Sequence, residues 1–162
     1  MKSVLFVRHA KSSWDSAAMR DFDRPLNERG HRDAPMMAKR LLDKEVKIDL
    51  FVSSTAVRAL TTAKYFHEAF KAKKSHLVEV PELYHASVET FYKVLEKLDD
   101  EVRSAALFSH NPGITYAVNS LGVAKVDDMP TCGVFGVHAD IESWKDFKEA
   151  PKQFWLFDYP KL

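Results

Sequence analysis

The sequence predicts an α/β protein with a mostly parallel central sheet covered by helices. Short, continuous apolar runs recur along the 162 residues, and segments of helical periodicity separate them. Runs of this kind, closed by polar residues, read as strands buried on both faces, and their alternation with helices implies crossover units. The length suits one domain, 1–162, large enough to enclose a core.

The first strand is Val4-Leu5-Phe6-Val7, running into Arg8 and His9. After Leu26, Asn27 is placed to cap a helix carrying Met37, Ala38, Leu41 and Leu42 on one face. Pro35 lies inside that pattern, and a proline there removes a backbone donor and clashes with the preceding turn. The expectation is a short turn from Glu28 and a main helix starting near Asp33. Leu50-Phe51-Val52 forms the second strand, and Ala59, Ala63, Phe66 and Phe70 mark the helix after Ser53-Ser54. A brief third run, Leu77 to Val80, leads into Pro81-Glu82-Leu83. Ser87 then caps a helix whose apolar face is Val88, Phe91, Tyr92, Leu95 and Leu98. Ala105-Ala106-Leu107-Phe108 is the fourth strand, followed by Ser109-His110-Asn111-Pro112. The next helix carries Ile114, Ala117, Val118 and Leu121, with Gly122 as its stop. Val134–His138 and Phe154–Phe157 complete the strands.

Composition removes several function classes. At 46% hydrophobic residues the chain can offset its conformational entropy by burial, which excludes disorder as its main state. A net charge of +1 argues against a nucleic-acid or anionic-membrane surface as partner. The single Cys132 cannot form an internal disulfide or a cysteine-rich zinc site, and no His-Glu-x-x-His spacing occurs, so no metal is expected. No run reaches the roughly 18 apolar residues a bilayer span needs. Val4–Val7 is too short for a signal-peptide core. These readings imply a soluble cytoplasmic protein.

Ligands of parallel α/β sheets bind at the carboxyl ends of the strands. Arg8 and His9, Ser53-Ser54 with Arg58 one turn on, Glu82, and His110 with Asn111 all map to that edge. Taken singly, each has a plain reading: polar residues commonly end strands, and Arg58 resembles a solvated helix arginine. Their shared location points to phosphoryl transfer. Arginine presents a permanent planar fork to phosphate oxygens, and a neutral imidazole can attack phosphorus. A second, protonated histidine would stabilise the equatorial oxygens, and a carboxylic acid would protonate the leaving atom. The set is coherent without a cofactor. His31, His67, His76 and His138 lack a partner pattern, and His85 is left unassigned at the pocket mouth. Lys71, Lys73 and Lys74 read as a solvated helix end, and Trp14 and Phe22 as packing residues.

Four segments carry a resemblance. Val-Leu-Phe-Val-Arg-His-Ala-Lys-Ser at Val4–Ser12 resembles the Arg-His-Gly signature of the histidine phosphatase superfamily. Asp23-Arg24-Pro25-Leu26-Asn27-Glu28-Arg29-Gly30 is similar to its Pro-Leu-Thr-x-x-Gly segment, Ser53–Ala59 to its Ser-Ser-Pro-x-x-Arg-Ala element, and Ser109–Pro112 to its second-histidine motif. The short chain and the Arg-His-Ala-Lys-Ser wording resemble the small SixA-type phosphohistidine phosphatases. The resemblance implies a three-layer, phosphoglycerate-mutase-like α/β/α fold. It also implies His9 as the phosphorylated nucleophile, with Arg8, Arg58 and His110 as phosphate-binding residues and Glu82 as proton donor. Lys11, Ser12 and Asn111 stand as possible substrate contacts. Three positions depart from the pattern: Ala10 for glycine, Thr61 for glutamine, and Asp15 where mutases carry asparagine. Asp15 argues against a sugar-phosphate mutase, because a carboxylate repels a phosphate dianion.

The leading expectation is therefore a metal-independent phosphatase acting on protein phosphohistidine or another phosphoamidate. Connections around 10–26 and 122–131 leave little room for a lid over a small substrate. A small-metabolite phosphomonoesterase and a non-catalytic phosphate-binding module are the alternatives. An alkoxide leaving group needs an acid more than a phosphorylated imidazole does, so Glu82→Gln is expected to abolish only phosphoester hydrolysis.

Overall fold

In the computed structural model, residues 1–14 and 19–161 are described. The strands are β1 (Lys2–Arg8), β2 (Leu50–Ser53), β3 (Leu77–Glu79), β4 (Ser104–Ser109), β5 (Val134–Ala139) and β6 (Lys152–Asp158). The helices are α1 (Glu28–Asp43), α2 (Val57–Ala69), α3 (Val88–Glu96) and α4 (Gly113–Ser120). One six-stranded sheet runs in the order β3-β2-β4-β1-β5-β6. The pairs β1/β4, β2/β4 and β2/β3 are parallel, whereas β5 runs antiparallel to both β1 and β6.

Alternate residues of each central strand feed opposite cores. Leu5 and Val7 of β1 join Phe51 and Phe108 beneath Met37, Leu41, Ala63 and Phe66 of α1 and α2. Val4 and Phe6 join Val52 and Leu107 beneath Phe91, Leu95, Ile114 and Val118 of α3 and α4. Both faces of the sheet are therefore covered, as the continuous apolar runs require. This is the three-layer α/β/α arrangement. No helix among the described residues is long and apolar enough to cross a membrane.

The expectation for α1 needs correction. The helix runs unbroken from Glu28, with Asn27 accepting a hydrogen bond from the Gly30 N–H at 2.9 Å and Pro35 in its interior. The buried stripe of Gly30, Asp33, Ala34, Met37, Ala38 and Leu41 continues through the proline. Burial along that stripe outweighs the hydrogen bond Pro35 cannot donate to the preceding turn, so the helix does not restart. Ser87 caps α3 as expected, accepting from the Thr90 N–H, and Gly122 takes a positive φ of 76° after α4.

Gly30 joins this helix to the first strand's loop. A side chain there would collide with the Lys11 carbonyl, which itself accepts from the Asn27 N–H at 3.0 Å. Gly30→Ala is expected to destabilise the fold by about 1–3 kcal/mol through overpacking, read as a lower denaturation midpoint with unchanged m-value. An unchanged midpoint would remove this contact from the account.

Candidate active site

The parallel pairing of β1 with β4 sets Arg8 opposite Ser109, and the His9 N–H donates to the Ser109 carbonyl at 3.1 Å. The two strands therefore end together, and the rings of His9 and His110 lie 5.2 Å apart. β2 ends beside β4, with the Ser54 N–H on the Phe108 carbonyl at 2.9 Å, and α2 opens with Arg58 in its first turn. A cavity of about 280 Å³ opens at this edge, lined by Arg8, His9, Arg58 and His110 with Lys11, Ser12, Trp14, Asp21, Arg24, His85, Asn111 and Thr131.

His9 is buried, and its Nδ1 lies 2.8 Å from the Ala10 carbonyl oxygen. A carbonyl can only accept, so Nδ1 carries the proton and the lone pair of a neutral ring resides on Nε2. Burial pushes the imidazole down to about 3, and Arg58, Arg8 and Arg24 add to that shift against the Ala10 hydrogen bond. His9 is thus uncharged near neutrality, which leaves its ring a free lone pair. Ala10 is held in turn by Thr62, whose hydroxyl accepts from the Ala10 N–H at 3.0 Å and donates to the Arg58 carbonyl at 2.8 Å. One threonine thereby couples the first strand's end to the first turn of α2.

His110 Nε2 sits 2.8 Å from the Ser54 hydroxyl, which also accepts from the Ala56 N–H at 3.2 Å. When Ser54 donates its proton to Nε2, the His110 proton resides on Nδ1. Burial pushes His110 down to about 2, with His9 and Arg58 contributing. The histidine expected to be protonated is therefore neutral, although an Nδ1–H can still donate. Among the described residues, the buried side-chain nitrogens without a partner are Arg8 Nε, Arg58 Nε and His110 Nδ1. All belong to residues around this one cavity. Buried donors without acceptors are costly, and a phosphoryl group supplies several acceptors at once.

The loop before α1 closes one side of the pocket. Asp21 accepts from Arg58 Nη2 at 3.0 Å, Arg24 Nε at 3.1 Å and the Tyr84 hydroxyl at 2.7 Å. Burial raises the Asp21 carboxyl, but these donors outweigh it and hold the group at about 2. Arg24 Nη1 also donates to the Ser12 hydroxyl at 2.8 Å, and its guanidinium lies 3.5 Å from the centroid of the Trp14 ring.

Sequence reasoning places Arg8, His9, Arg58 and His110 together, and the structure brings them into one cavity. Lys11 is exposed on its rim, and Ser12 is buried against Arg24. Asn111 borders the cavity but uses its amide internally: Nδ2 donates to Asp128 Oδ1 at 2.6 Å, and Oδ1 accepts from the Thr115 hydroxyl at 2.6 Å. Glu82 is not brought to the pocket. It is exposed in the turn Pro81–Leu83 and lines a separate groove of about 510 Å³ with Leu50, Val52, Val80 and Lys93. The turn buries Leu83 instead, whose carbonyl accepts from the Ser109 hydroxyl at 2.6 Å. Trp14 is 74% exposed and lines the pocket rather than packing beneath it, whereas Phe22 does pack, edge-on to Tyr84. Asp15 lies outside the described residues. Asp21, Arg24 and Tyr84 were missed as site residues, and of these only Arg24, inside the Asp-Arg-Pro-Leu segment, left a signal in the sequence; His85, left unassigned at the pocket mouth, does line the cavity.

Inorganic phosphate is expected to bind this pocket through the guanidinium forks. Arg58→Lys replaces a fork with a point charge and is expected to weaken that binding about 10–100-fold, measured by titration calorimetry. Undiminished binding would place the anion elsewhere.

Residues 4–122 match the histidine phosphatase superfamily (branch 1). An uncharacterised chloroplastic protein of Arabidopsis thaliana is 27% identical over 155 residues, covering 90% of this chain and 70% of that protein. A 2,3-bisphosphoglycerate-dependent phosphoglycerate mutase of Haemophilus influenzae is 31% identical over 101 residues, covering 59% of this chain and 41% of the mutase. Among solved structures, SixA of Agrobacterium tumefaciens, assigned as a phosphohistidine phosphatase, superposes with a TM-score of 0.81 at 28% identity, covering 98% of this chain and 99% of that one. A protein histidine phosphatase SixA complexed with tungstate gives a TM-score of 0.83 at 25% identity over 98% of this chain and 97% of its own. A phosphoglycerate mutase of Plasmodium falciparum shares the fold at 18% identity, with a TM-score of 0.64 over 96% of this chain and 89% of the mutase. With most of its length matched and the site's strand ends inside the match, the chain belongs to the histidine phosphatase superfamily and is a phosphatase.

Proposed function

We propose that this phosphatase hydrolyses protein phosphohistidine or another phosphoamidate through a phosphorylated His9. The observation that carries the mechanism is the neutral His9 imidazole set among Arg8, Arg58 and His110, whose buried nitrogens lack acceptors. That environment suits a phosphoryl group bound and attacked in one place.

In the first step the lone pair of His9 Nε2 forms a bond to phosphorus as the bond to the leaving group breaks. The Nδ1–H on the Ala10 carbonyl stays in place and steadies the cationic ring that results. A phosphorylated imidazolium leaves as neutral imidazole without a further proton, whereas an alkoxide must take one. In the second step water attacks phosphorus, the bond to Nε2 breaks, and the ring returns to its neutral form. The water's proton passes to a base, and phosphate departs. Arg8 and Arg58 hold the three equatorial oxygens throughout, and the His110 Nδ1–H supplies a further donor.

The choice of a protein-borne group is supported by the likeness to SixA structures and by the character of the rim. Trp14 and Lys11 stand exposed at the pocket mouth, where they can meet the surface around a protruding side chain.

Two measurements test this reading. Brief exposure to labelled substrate should trap one phosphoryl group on the wild type and none on His9→Ala, and persistent turnover by that variant would overturn the covalent route. A panel comparing phosphohistidine protein with small phosphoesters should show kcat/KM higher for the protein by at least about tenfold. The reverse preference would assign the pocket to metabolite phosphoesters.

A further inference from the structure

We propose that His85 is the proton-transfer residue of this pocket, protonating the leaving atom and later taking the proton of the attacking water. The inference rests on the reading of His9 as nucleophile, and it assigns the step left open there. His85 lines the same cavity as His9 and His110, three residues beyond Glu82, which lines a different groove. It adopts a positive φ of 58°, a left-handed conformation uncommon outside glycine and enriched at functional turns. That turn carries its ring onto Tyr84, 3.9 Å between centroids, beside the pocket mouth.

The other proton carriers facing the cavity are engaged. His9 is the attacking group, and His110 is tied to Ser54 and kept neutral by burial. Asp21 is ionised, held by Arg58, Arg24 and Tyr84, and the Tyr84 proton is committed to Asp21. Lys11 is a standing cation that cannot accept a proton from water. His85 is exposed to solvent and can exchange its proton with the medium between half-reactions. An imidazole can give a proton from one ring nitrogen and take one on the same atom afterwards, so one side chain can serve first as acid and then as base. Among the described residues, the charged and titratable groups that line the cavity with it are Arg8, His9, Lys11, Asp21, Arg24, Arg58 and His110, with Tyr84 against its ring and Tyr116 of α4 in the adjoining groove.

The proton balance is closed. For a leaving group that must take a proton, an alkoxide oxygen or the nitrogen of an uncharged phosphoamidate, an imidazolium at His85 gives its proton to that atom as the bond to phosphorus breaks. The resulting neutral imidazole takes a proton from the water that attacks phospho-His9, which restores the starting state.

The test is a series of aryl and alkyl phosphates graded in leaving-group basicity, turned over by wild type, His85→Gln, His85→Asn and Glu82→Gln. Asparagine tolerates the left-handed backbone, so it separates lost chemistry from lost fold. Both His85 variants are expected to lose about 10²–10⁴-fold in kcat/KM on alkyl phosphates and less than about tenfold on p-nitrophenyl phosphate. Glu82→Gln should follow the wild type across the series, contrary to the sequence-based expectation. Both His85 variants should still accept label at His9 from the aryl substrate. A uniform loss across the series, or a graded loss in Glu82→Gln instead, overturns the role of His85. Failure of the wild type itself to label overturns the reading of His9, and the role of His85 with it.

Discussion

The register of β1 on β4 is the constraint from which the site follows. Parallel neighbours at the centre of the sheet end side by side, with Arg8 opposite Ser109. The next residue on each strand is a histidine, and both are buried. A slip of one residue would turn Leu5 and Val7 from the α1/α2 core to the opposite face, so packing on both faces fixes the alignment. The catalytic geometry is in this sense a by-product of two hydrophobic cores. The turn leading into β5 reinforces it from the other side: the Arg8 N–H donates to the Gly133 carbonyl at 3.1 Å, and the Cys132 N–H donates to the His9 carbonyl at 3.0 Å.

Electrostatics then act on a prearranged frame. The chain carries a net charge of +1, yet Arg8, Arg24 and Arg58 all face one cavity. Asp21 and Asp128 stand beside them, one bonded to Arg58 and Arg24, the other raising Arg8 against the lowering effect of burial. Water is largely excluded around His9, so the ring remains neutral where a solvated imidazole would titrate. The same burial makes each guanidinium contact to a phosphoryl oxygen stronger than it would be in bulk solvent. A small concentrated field, balanced at its rim, reconciles near-zero net charge with recognition of an anion.

Much of the fold was legible because buried parallel strands must be apolar on both faces, and Val4–Val7 and Ala105–Phe108 declare that pattern openly. The residues at strand ends were legible for the same reason: once the strands are placed, Arg8, His9 and His110 have only one edge to occupy. Side-chain direction in turns was not legible. Glu82 and His85 lie three residues apart, and only the buried Leu83 and the left-handed turn at His85 decide which of them faces the cavity. Asp21 and Tyr84 were hidden because their partnership joins residues 63 apart through a loop without periodicity. Pro35 misled for a different reason, since its local cost is real but smaller than the burial of the stripe it interrupts.

The central claim is that His9 is a neutral imidazole with its proton on Nδ1 and its lone pair on Nε2. Nitrogen-15 NMR of the histidine side chains, followed from pH 8 to pH 5, reads both properties directly. The account predicts one imidazole with a protonated Nδ1 and a bare Nε2 that does not titrate across this range, lost in His9→Ala. A His9 signal that titrates near 6.5, or one with the proton on Nε2, would contradict it.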